Sequence, residues 1–521
     1  MSFTIGHIVS CYLPVSETFT YDLIRSIPDT EHRIFTTATE NVHLFPHPHV
    51  ITAGSEEEFA RLARVHDVDV LVGHFGPNGL TAMQIGLLSD VPSITIFHGY
   101  DISLLLRDER WLERYRALFR FGTHMVSVSE AGRQRLIRVG ASPDRISTLH
   151  LGVDVDRFAY RRQRATHGRP RNILMVARLT EKKGILTALH ALAIARTTDP
   201  GLRLCIIGEG EERDRIEAAI AALRLEGIVE LMGARSADGV RDALRRCHIL
   251  LQPSVTAANG DQEGIPVALM EAMACGVPVI ATRHSGIPEL VIHERTGLLA
   301  DERDASNLAD QIRRLTTDRD VARRMTRQAR LWVEQEFNLA RQAPAFGALV
   351  RRVAARHEDD QVRRTRPAST TDRQPRVLFL RSVPVPSAWS ALAILARRHP
   401  EAHVSVLTSE STVSLFERLP FVSEVHGCPG DRLVATALPP QTLSSLRAAA
   451  YDRVIVPYAN VDGAGYDNVR EVALGCGGAM LVEMPRCHTE RIVPPGAWDR
   501  RGSRGASGSS SDEGVPHALG A

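Results

Sequence analysis

Short apolar runs alternate with stretches of helical periodicity along the first 150 residues of the chain. The apolar residues of the helical stretches recur roughly every three or four positions, which predicts amphipathic helices at Glu17–Ile27, Glu56–Val65 and Glu130–Val139. The runs between them predict strands at Thr4–Val9, Arg33–Thr37, Val68–Gly73, Ser93–Phe97, Met125–Val128 and Ile146–His150. Such alternation predicts a parallel sheet with helices on both faces.

The same alternation starts again near residue 172. Helices are predicted at Ile185–Arg196 and Glu212–Leu223, and helical periodicity from Ala305 to Val353 closes this half. Strands are predicted at Asn172–Leu179, Leu202–Ile207, Ile228–Met232, His248–Gln252 and Val277–Ala281. The fold class is therefore α/β, with two doubly wound, Rossmann-like domains in tandem. A ligand is expected in the cleft at the carboxyl ends of their strands.

Domain boundaries follow from changes of pattern. The first Rossmann-like domain is predicted at 1–165 and the second at 166–355, and the polar, aperiodic residues 356–375 are predicted to be a linker. A third segment, 376–485, again begins with a strand, a loop and a helix, but it is short for a complete doubly wound domain. We expect an accessory, partial Rossmann-like domain there. Residues 486–521, rich in Gly and Ser, are predicted to form a disordered tail.

Composition excludes several classes of function. The 63 basic and 61 acidic residues leave a formal net charge of +2, which provides no basic field for nucleic acid. No run approaches the roughly 18 apolar residues of a membrane span, and no signal peptide is recognisable, so a cytoplasmic protein is expected. The seven scattered cysteines contain no C-x-x-C pair, which favours buried thiols over disulfides or a zinc site.

The distribution of lysine points to one position in the second half. Only two of the 63 basic residues are lysines, and they are adjacent, at Lys182 and Lys183. Composition bias alone explains the scarcity. The survival of lysine at one place nevertheless suggests that a compact, flexible ammonium is needed there, where a planar guanidinium would not serve.

The strongest chemical signal is the segment from Glu263 to Glu271, which follows a predicted buried strand and a polar loop. Pro266 suits the start of a helix, and Gly276 suits its end. Glu263 and Gly264 would then lie just outside a helix N-terminus, where free N–H groups favour an anion. A carboxylate at that end can accept hydrogen bonds from sugar hydroxyls, and Glu271, two turns further on, can reach a ribose. The alternative is that Glu263 caps the helix and Glu271 is solvated.

Glu263 and Glu271 resemble the E-x7-E motif of the retaining family-4 glycosyltransferases, which have the two-Rossmann GT-B fold. The segment from Val176 to Gly184 resembles their R-L-x-x-x-K-G turn. The resemblance implies that Arg178 and Lys183 neutralise the donor diphosphate, together with Gly264 and Ile265 at the helix start. It also implies that no metal or other cofactor is needed. The alternative for the turn is a basic surface loop.

Three further segments resemble the same family. Gly208 and Gly210 stand in a G-x-G-x-x turn that the family places near the nucleotide, although a short glycine turn alone is weak support. His150–Phe158 resembles the segment that enters the interdomain crossing, and its two aspartates are interpreted as turn residues. Ser285–Glu289 resembles the family's G-x-x-E segment. The resemblance covers roughly residues 1–350.

The first half resembles the subgroup that builds exopolysaccharides, including the colanic-acid type. The resemblance rests on Pro14–Phe19, His74–Gly76 and Phe97–Asp101. It implies that His98 lies close to the donor sugar and is needed for transfer; a core histidine bonded to backbone is the alternative. Acceptor-side candidates are Ser16, Glu17 and His74, with helix capping by Ser16–Thr18 and a structural role for His74 as alternatives. Cys11–Val15 replaces the family's usual glycine-rich loop, which leaves the acceptor contacts open.

The resemblance thus implies transfer of a sugar, with retention, from a UDP- or GDP-sugar to a saccharide or lipid-linked glycan acceptor in polysaccharide biosynthesis. An epimerase of the same fold and a non-catalytic scaffold that binds nucleotide-sugars are the alternatives, and residues 376–485 are the best support for the scaffold. With a lipid-linked acceptor, the enzyme would sit peripherally at the inner membrane face. The sequence leaves the oligomeric state open.

Overall fold

The computed structural model of the chain describes three parallel or nearly parallel sheets. It describes residues 2–14, 17–161, 171–365, 374–383, 388–389, 391–392, 395–396, 399, 401–417, 419, 421–430, 433, 438–458, 466–476, 480–484 and 491–493. The chain divides into two compact units, Met1–Arg363 and Arg364–Ala521. The first unit contains two of the sheets, and the second contains the third.

The first sheet has seven parallel strands in the order β3-β2-β1-β4-β5-β6-β7. Its strands are Phe3–Tyr12 (β1), Thr30–Thr39 (β2), Val50–Thr52 (β3), Val70–His74 (β4), Ser93–Phe97 (β5), His124–Ser127 (β6) and Ile146–Thr148 (β7). Its helices are Thr18–Ser26 (α1), Glu56–Val65 (α2), Gly76–Ser89 (α3), Glu109–Phe121 (α4) and Glu130–Arg138 (α5). The predicted strands of this half are confirmed. The central strands β4 and β5 are buried along their whole length, as a parallel sheet covered by helices on both faces requires.

The second sheet has six parallel strands in the order β10-β9-β8-β11-β12-β13. Its strands are Arg171–Val176 (β8), Leu202–Ile207 (β9), Val229–Leu231 (β10), Ile249–Gln252 (β11), Val279–Thr282 (β12) and Leu298–Ala300 (β13). Its helices are Ile185–Arg196 (α6), Arg213–Ala222 (α7), Ala237–Arg246 (α8), Val267–Cys275 (α9), Ile287–Leu290 (α10), Ala305–Thr317 (α11) and Arg319–Glu336 (α12). In both sheets the strand order reverses at one point, between β1 and β4 and between β8 and β11, where such sheets bind ligands.

The last helix of the first unit, Leu339–Thr365 (α13), returns to the first sheet. Its apolar side chains, among them Phe346 and Val350, lie in one core with Ile5 of β1 and Val72 of β4. The predicted boundary at 355 placed residues 339–355 in the second domain, whereas the structure places them against the first. The helical pattern predicted the helix but could not show which sheet its apolar face covers.

The predicted linker at 356–375 is wrong in its first part, because α13 continues to Thr365. Arg, Glu, Asp and Gln after residue 356 supply polarity without Gly or Pro, so the helix has no reason to stop until Pro367. Residues 366–373 lie outside the described residues.

The second unit contains a sheet in the order β16-β15-β14-β17-β18-β19. Its strands are Arg376–Leu380 (β14), His403–Ser409 (β15), Glu424–Cys428 (β16), Arg453–Pro457 (β17), Leu481–Met484 (β18) and Arg491–Val493 (β19), and its helices include Val413–Phe416 (α14), Pro440–Ala448 (α15) and Asp467–Gly475 (α16). Only β19 is antiparallel to its neighbour. The tail predicted from 486 therefore contains an edge strand, and residues 485–490 and 494–521 lie outside the described residues.

Helix α3 packs so closely on the first sheet that only glycine fits at two of its contacts. A Cβ atom at Gly73 would approach the backbone nitrogen of Gly79 to 2.5 Å, and a Cβ at Gly79 would overlap the side chain of Thr95 on β5. The Gly-Pro-Asn-Gly sequence at the start of α3 looks like a turn but forms a helix start with Pro77 in the first turn.

We predict that Gly79→Ala lowers the free energy of unfolding of the first unit by roughly 1–3 kcal/mol, because the added methyl overpacks the α3–β5 contact. Urea denaturation followed by circular dichroism measures this change. Gly54→Ala is the control, since a Cβ at Gly54 has no heavy atom within 4 Å. Equal stability of the two variants would show that the contact can relax.

Candidate functional site

The carboxyl ends of the first two sheets meet at a loop-to-loop contact. The loop after β5 carries His98 and Gly99, and a Cβ at Gly264, just before α9, would overlap the carbonyl oxygen of His98. The backbone N–H of Gln262 donates to the hydroxyl of Ser103 at 3.0 Å, so the two loops are also hydrogen-bonded. The His98 loop and the Glu263 segment, predicted separately from the sequence, therefore lie side by side.

Glu263 and the two lysines form a buried charged cluster at this contact. The Lys183 Nζ atom lies 2.9 Å from Glu263 Oε1, and Lys182 Nζ lies 2.9 Å from Asp261 Oδ2. Burial opposes the charge on Glu263, but the neighbouring ammonium groups of Lys183 and Lys182 outweigh it and lower the pKa of its carboxyl below the ordinary value. Glu263 is thus held as a carboxylate. The pairing of Lys182 with Asp261 was not predicted from the sequence.

A histidine beneath Glu263 fixes its backbone. The N–H of Glu263 donates to His284 Nε2 at 3.1 Å, and His284 Nδ1 lies 2.6 Å from Glu302 Oε1. His284 is completely buried at the end of β12. Because Nε2 accepts, Nδ1 carries the proton and donates to Glu302. Sequence analysis missed both residues, and their only signal was a histidine that follows a buried strand.

Gly264 and Ile265 lead into α9, which begins at Val267 with Pro266 as its N-cap residue. The side chain of Ile265 lies in the hydrophobic core and is 4% exposed. Any contact of Ile265 with a diphosphate would therefore be made by its backbone. The predicted helix start is confirmed, with Pro266 one position earlier than expected.

Glu271 lies on α9 among charged groups from both halves of the first unit. Burial raises the pKa of Glu271 to about 7; Asp22 of α1 adds to the rise, and Arg157 opposes it. Burial likewise raises the pKa of Asp22, which Arg157 and Arg25 oppose. Glu271 therefore lies close enough to Asp22 of the first domain to be affected by its charge, and its ribose-binding role stays a prediction.

Arg178 and Glu17 face one another across the same cleft. Arg178 is exposed at the turn after β8. Burial raises the pKa of Glu17 to about 7, and the guanidinium of Arg178 opposes the rise. Glu17 is the N-cap residue of α1, but its side chain makes no capping hydrogen bond. Ser16, the neighbouring acceptor-side candidate, lies outside the described residues.

Gly208 and Gly210 shape the turn that carries Arg178. Both have positive φ, 143° and 159°, and a Cβ at either would overlap the carbonyl oxygen of Ala177 or Leu179. The N–H of Leu179 donates to the carbonyl of Glu209 at 2.8 Å. The close packing of the two turns explains both glycines without a nucleotide, and their predicted proximity to the nucleotide stays a prediction.

His98 is a buried ring whose backbone is held by Asp101. The Asp101 carboxylate accepts N–H bonds from Gly76 at 3.0 Å, Gly99 at 2.7 Å and His98 at 3.1 Å. The His98 ring packs on Phe19 and Phe75, with centroid distances of 4.9 and 4.4 Å. Among the described residues, neither ring nitrogen has a hydrogen-bond partner, and burial lowers the pKa of His98 well below its ordinary value. The ring is thus a core side chain that makes no bond to backbone among the described residues, and the role of His98 in transfer stays a prediction.

His74 is also completely buried, at the end of β4. Its Nε2 atom lies 3.0 Å from Nδ1 of His7. This predicted acceptor-side candidate is thus bonded to a neighbouring strand through Nε2, whereas its buried Nδ1 atom has no hydrogen-bond partner among the described residues.

Glu289 ties the two halves of the first unit together. Its carboxylate accepts the N–H groups of Glu130 and Ala131 at the start of α5, at 2.8 and 2.9 Å, and lies 3.2 Å from His150 Nε2. An acidic side chain at a helix N-terminus is stabilising, so this contact favours the closed arrangement of the two sheets. The sequence indicated that Ser285–Glu289 is a family-like segment, but it did not show that Glu289 caps a helix of the other domain.

Two family models match consecutive parts of the first unit, from residue 17 to residue 332. The model described as "Glycosyltransferase Family 4" matches residues 17–157, and the model described as "Glycosyl transferases group 1" matches residues 156–332. The boundary between them falls at the crossing between the two sheets.

Named relatives and solved structures agree with these matches. A Salmonella typhimurium protein named as a colanic acid biosynthesis glycosyltransferase, WcaL, is 38% identical over 54% of this chain and 69% of its own length. The amylovoran biosynthesis glycosyltransferase AmsK of Erwinia amylovora is 37% identical over 55% of this chain and 69% of its own length. The crystal structure of Anabaena HepE in complex with UDP superposes with a TM-score of 0.58 and 18% identity, over 68% of this chain and all of that one, which shows a shared fold.

Two kinds of feature are absent from the described part of the chain. Within it, no helix has both the length and the apolar character needed to cross a membrane. Among the same residues, no three His, Cys, Asp or Glu side chains are grouped as ligands for a metal ion. The expectation of a metal-free reaction stays a prediction.

We predict that the stability of Glu271→Gln relative to the wild type rises with pH. Between the ordinary pKa of glutamate and about 7, folded Glu271 holds a proton that the unfolded chain has released, so this group makes the wild type less stable as the pH rises. The neutral amide escapes this loss, and the difference should reach roughly 1–3 kcal/mol by pH 8. Urea unfolding from pH 5 to 8 measures it, with the exposed Glu226→Gln as control. A difference that is independent of pH would contradict the raised pKa.

Proposed function

Because the chain belongs to the family-4 glycosyltransferases with the GT-B fold, we propose that it transfers a sugar from a nucleotide-diphosphate donor to a carbohydrate acceptor, with retention of anomeric configuration. One observation carries the proposal most directly. Lys183 and Glu263 meet in front of α9, at the place where the carboxyl ends of the two sheets face each other. Cation, carboxylate and helix N-terminus are the groups that a donor of this class requires.

The donor diphosphate is proposed to bind Lys183, Arg178 and the backbone ahead of α9. A diphosphate leaving group gains negative charge as its bond to the sugar breaks, so fixed cations that are already in place lower the barrier. The N-terminus of α9 adds a positive dipole end and free N–H groups. On donor binding we expect Lys183 to turn from Glu263 toward the phosphates.

Glu263 is then proposed to accept a hydrogen bond from a hydroxyl of the donor sugar. Before the donor binds, the ammonium groups of Lys183 and Lys182 keep the Glu263 carboxylate ionised, and its backbone is anchored on His284, so the backbone needs little reorganisation. We assign it no role as a covalent nucleophile. The proposed reaction is a same-face attack by the acceptor hydroxyl, in which the leaving phosphate takes the hydroxyl proton.

Glu271 is proposed to bind the ribose hydroxyls, and His98 to order the donor sugar from the other domain. A raised pKa at Glu271 suits a carboxyl that will receive hydrogen bonds from a diol, since those bonds stabilise its charged form. The unpartnered ring nitrogens of His98 can donate to one sugar oxygen and accept from another.

The acceptor is proposed to be a growing saccharide or a lipid-linked glycan in polysaccharide assembly. WcaL and AmsK are named for the biosynthesis of colanic acid and amylovoran, two polysaccharides, which supports this class. A lipid-linked acceptor would bring the enzyme to the inner face of the membrane. UDP and GDP donors are both consistent with the site, because its proposed contacts address the diphosphate, ribose and sugar and not the base.

The epimerase and scaffold alternatives are not favoured. The relatives named above are named as glycosyltransferases, which favours transfer over epimerisation and over a scaffold that only binds nucleotide-sugars. We propose a docking role for the second unit. Deleting residues 376–521 should leave transfer intact, and total loss of folding would contradict a separable unit.

We predict that the protein slowly releases nucleotide from one member of a panel of UDP-, GDP- and ADP-sugars. The Lys183→Ala variant should release nucleotide at least roughly tenfold more slowly, because it lacks a charged hydrogen bond to the leaving group. Release without acceptor is measured by a coupled nucleotide assay. Arg203→Ala, on an exposed position of β9, is the control for loss of one cation. Full activity of Lys183→Ala would disprove the diphosphate site. Absence of both release and calorimetric binding would contradict the proposed donor site.

We predict that Glu263→Gln lowers the rate of transfer by roughly 10- to 100-fold, because an amide is a weaker acceptor for the sugar hydroxyl than a carboxylate. Initial rates at saturating donor measure the loss. Glu226→Gln serves as a matched control, since it makes the same change on an exposed loop. A Glu263→Gln enzyme with nearly the full rate would refute the proposed role.

A further inference from the structure

Four histidines form a diagonal row on four neighbouring strands of the first sheet. His32 of β2 pairs in register with Ile5, and His7 stands two positions further along β1. His7 pairs with Val72, two positions before His74. His74 pairs with Ile96, two positions before His98. Steps of two keep side chains on one face of a sheet, so the row rises across that face toward the cleft.

The first three rings are joined by hydrogen bonds. His74 Nε2 lies 3.0 Å from His7 Nδ1, and His7 Nε2 lies 3.0 Å from His32 Nδ1. His32 Nε2 lies 2.9 Å from the hydroxyl oxygen of Thr30, which itself donates to the carbonyl of Ile27 at 3.0 Å. His98 continues the row without a bond, its ring nearly parallel to that of His74 at a centroid distance of 6.4 Å.

Thr30 gives this chain a direction. A hydroxyl has one proton, and a carbonyl can only accept, so the Thr30 proton goes to Ile27 and its oxygen accepts from His32 Nε2. A neutral His32 then accepts at Nδ1 from His7 Nε2. A neutral His7 accepts in turn from His74 Nε2. The opposite direction would leave a buried N–H at His74 Nδ1 without an acceptor, which is costlier than a bare lone pair.

Burial keeps the rings neutral, as this directionality requires. It lowers the pKa of His7 well below the ordinary value, with His32 and His74 adding to the effect. Burial also lowers the pKa of His74 to about 3 and that of His32 to about 4. At neutral pH each ring therefore has one N–H and one acceptor nitrogen.

We propose that His7 and His32 are positioning residues that hold His74 in the Nε2–H tautomer, so that its buried Nδ1 accepts a hydrogen bond from a hydroxyl of the bound donor sugar beside His98. The sugar contact rests on the proposed function, whereas the tautomer does not. This assigns a task to a buried histidine, His7, and a half-buried one, His32, that no motif indicated.

Thr30 allows the proposal to be tested far from the cleft, because it begins β2 at the amino end of the sheet. Thr30→Val removes the acceptor of His32 and nothing from any ring, whereas Thr30→Ser keeps the hydroxyl. Long-range ¹H–¹⁵N NMR of the imidazoles should show His74 protonated on Nε2 in the wild type and in Thr30→Ser. In Thr30→Val a substantial Nδ1–H population should appear. His74 protonated on Nδ1 in the wild type, or the same tautomer in Thr30→Val as in the wild type, would overturn the proposal.

Kinetics test the sugar contact separately. With UDP-glucose or GDP-mannose as the donor, Thr30→Val should lower kcat by roughly two- to tenfold, the range expected for one hydrogen bond, and Thr30→Ser should not. His32→Phe, which removes the first ring, should act in the same direction on both the tautomer and kcat. A changed tautomer with unchanged kcat would refute the sugar contact. A wild type that turns over neither donor, and whose His74 ¹⁵N shifts respond to neither, would refute it as well, with the tautomer result still standing.

Discussion

The close approach of the His98 loop to Gly264 is the constraint on which the rest of the site depends. Because a side chain at residue 264 would overlap the His98 carbonyl, only glycine lets the two sheets meet at their carboxyl ends. The meeting places a buried histidine of one domain beside a carboxylate and two lysines of the other. Glu289 supports it at a second point, where its carboxylate caps α5 across the domain boundary.

Charge in this cleft is arranged so that a ligand would complete it. Glu263 remains ionised because two ammonium groups offset its burial, whereas burial prevails at Glu17 and Glu271 and raises the pKa of each to about 7. The carboxyls nearest the proposed ribose and the first-domain wall are therefore poised between two protonation states. A nucleotide-sugar would supply both the hydroxyls that these carboxyls can bind and the phosphates that the lysine can neutralise.

Much of this arrangement follows from local sequence. Apolar runs and caps predict most strands and helices, and the scarcity of lysine singled out the adjacent pair Lys182 and Lys183. The contacts that sequence could not show are those that depend on tertiary packing. His284 and Glu302 come from different segments of the second sheet, and the apolar face of α13 gives no sign that it covers the first. The histidine row depends on strand register, which no single strand encodes.

A crystal structure of the protein with UDP or GDP would test the central claim most directly. The account predicts that the phosphates lie within hydrogen-bond distance of Lys183 Nζ and the backbone ahead of α9, that Glu271 holds the ribose hydroxyls, and that Lys183 has left Glu263. A nucleotide bound elsewhere, or phosphates that leave the Lys183–Glu263 pair untouched, would contradict it.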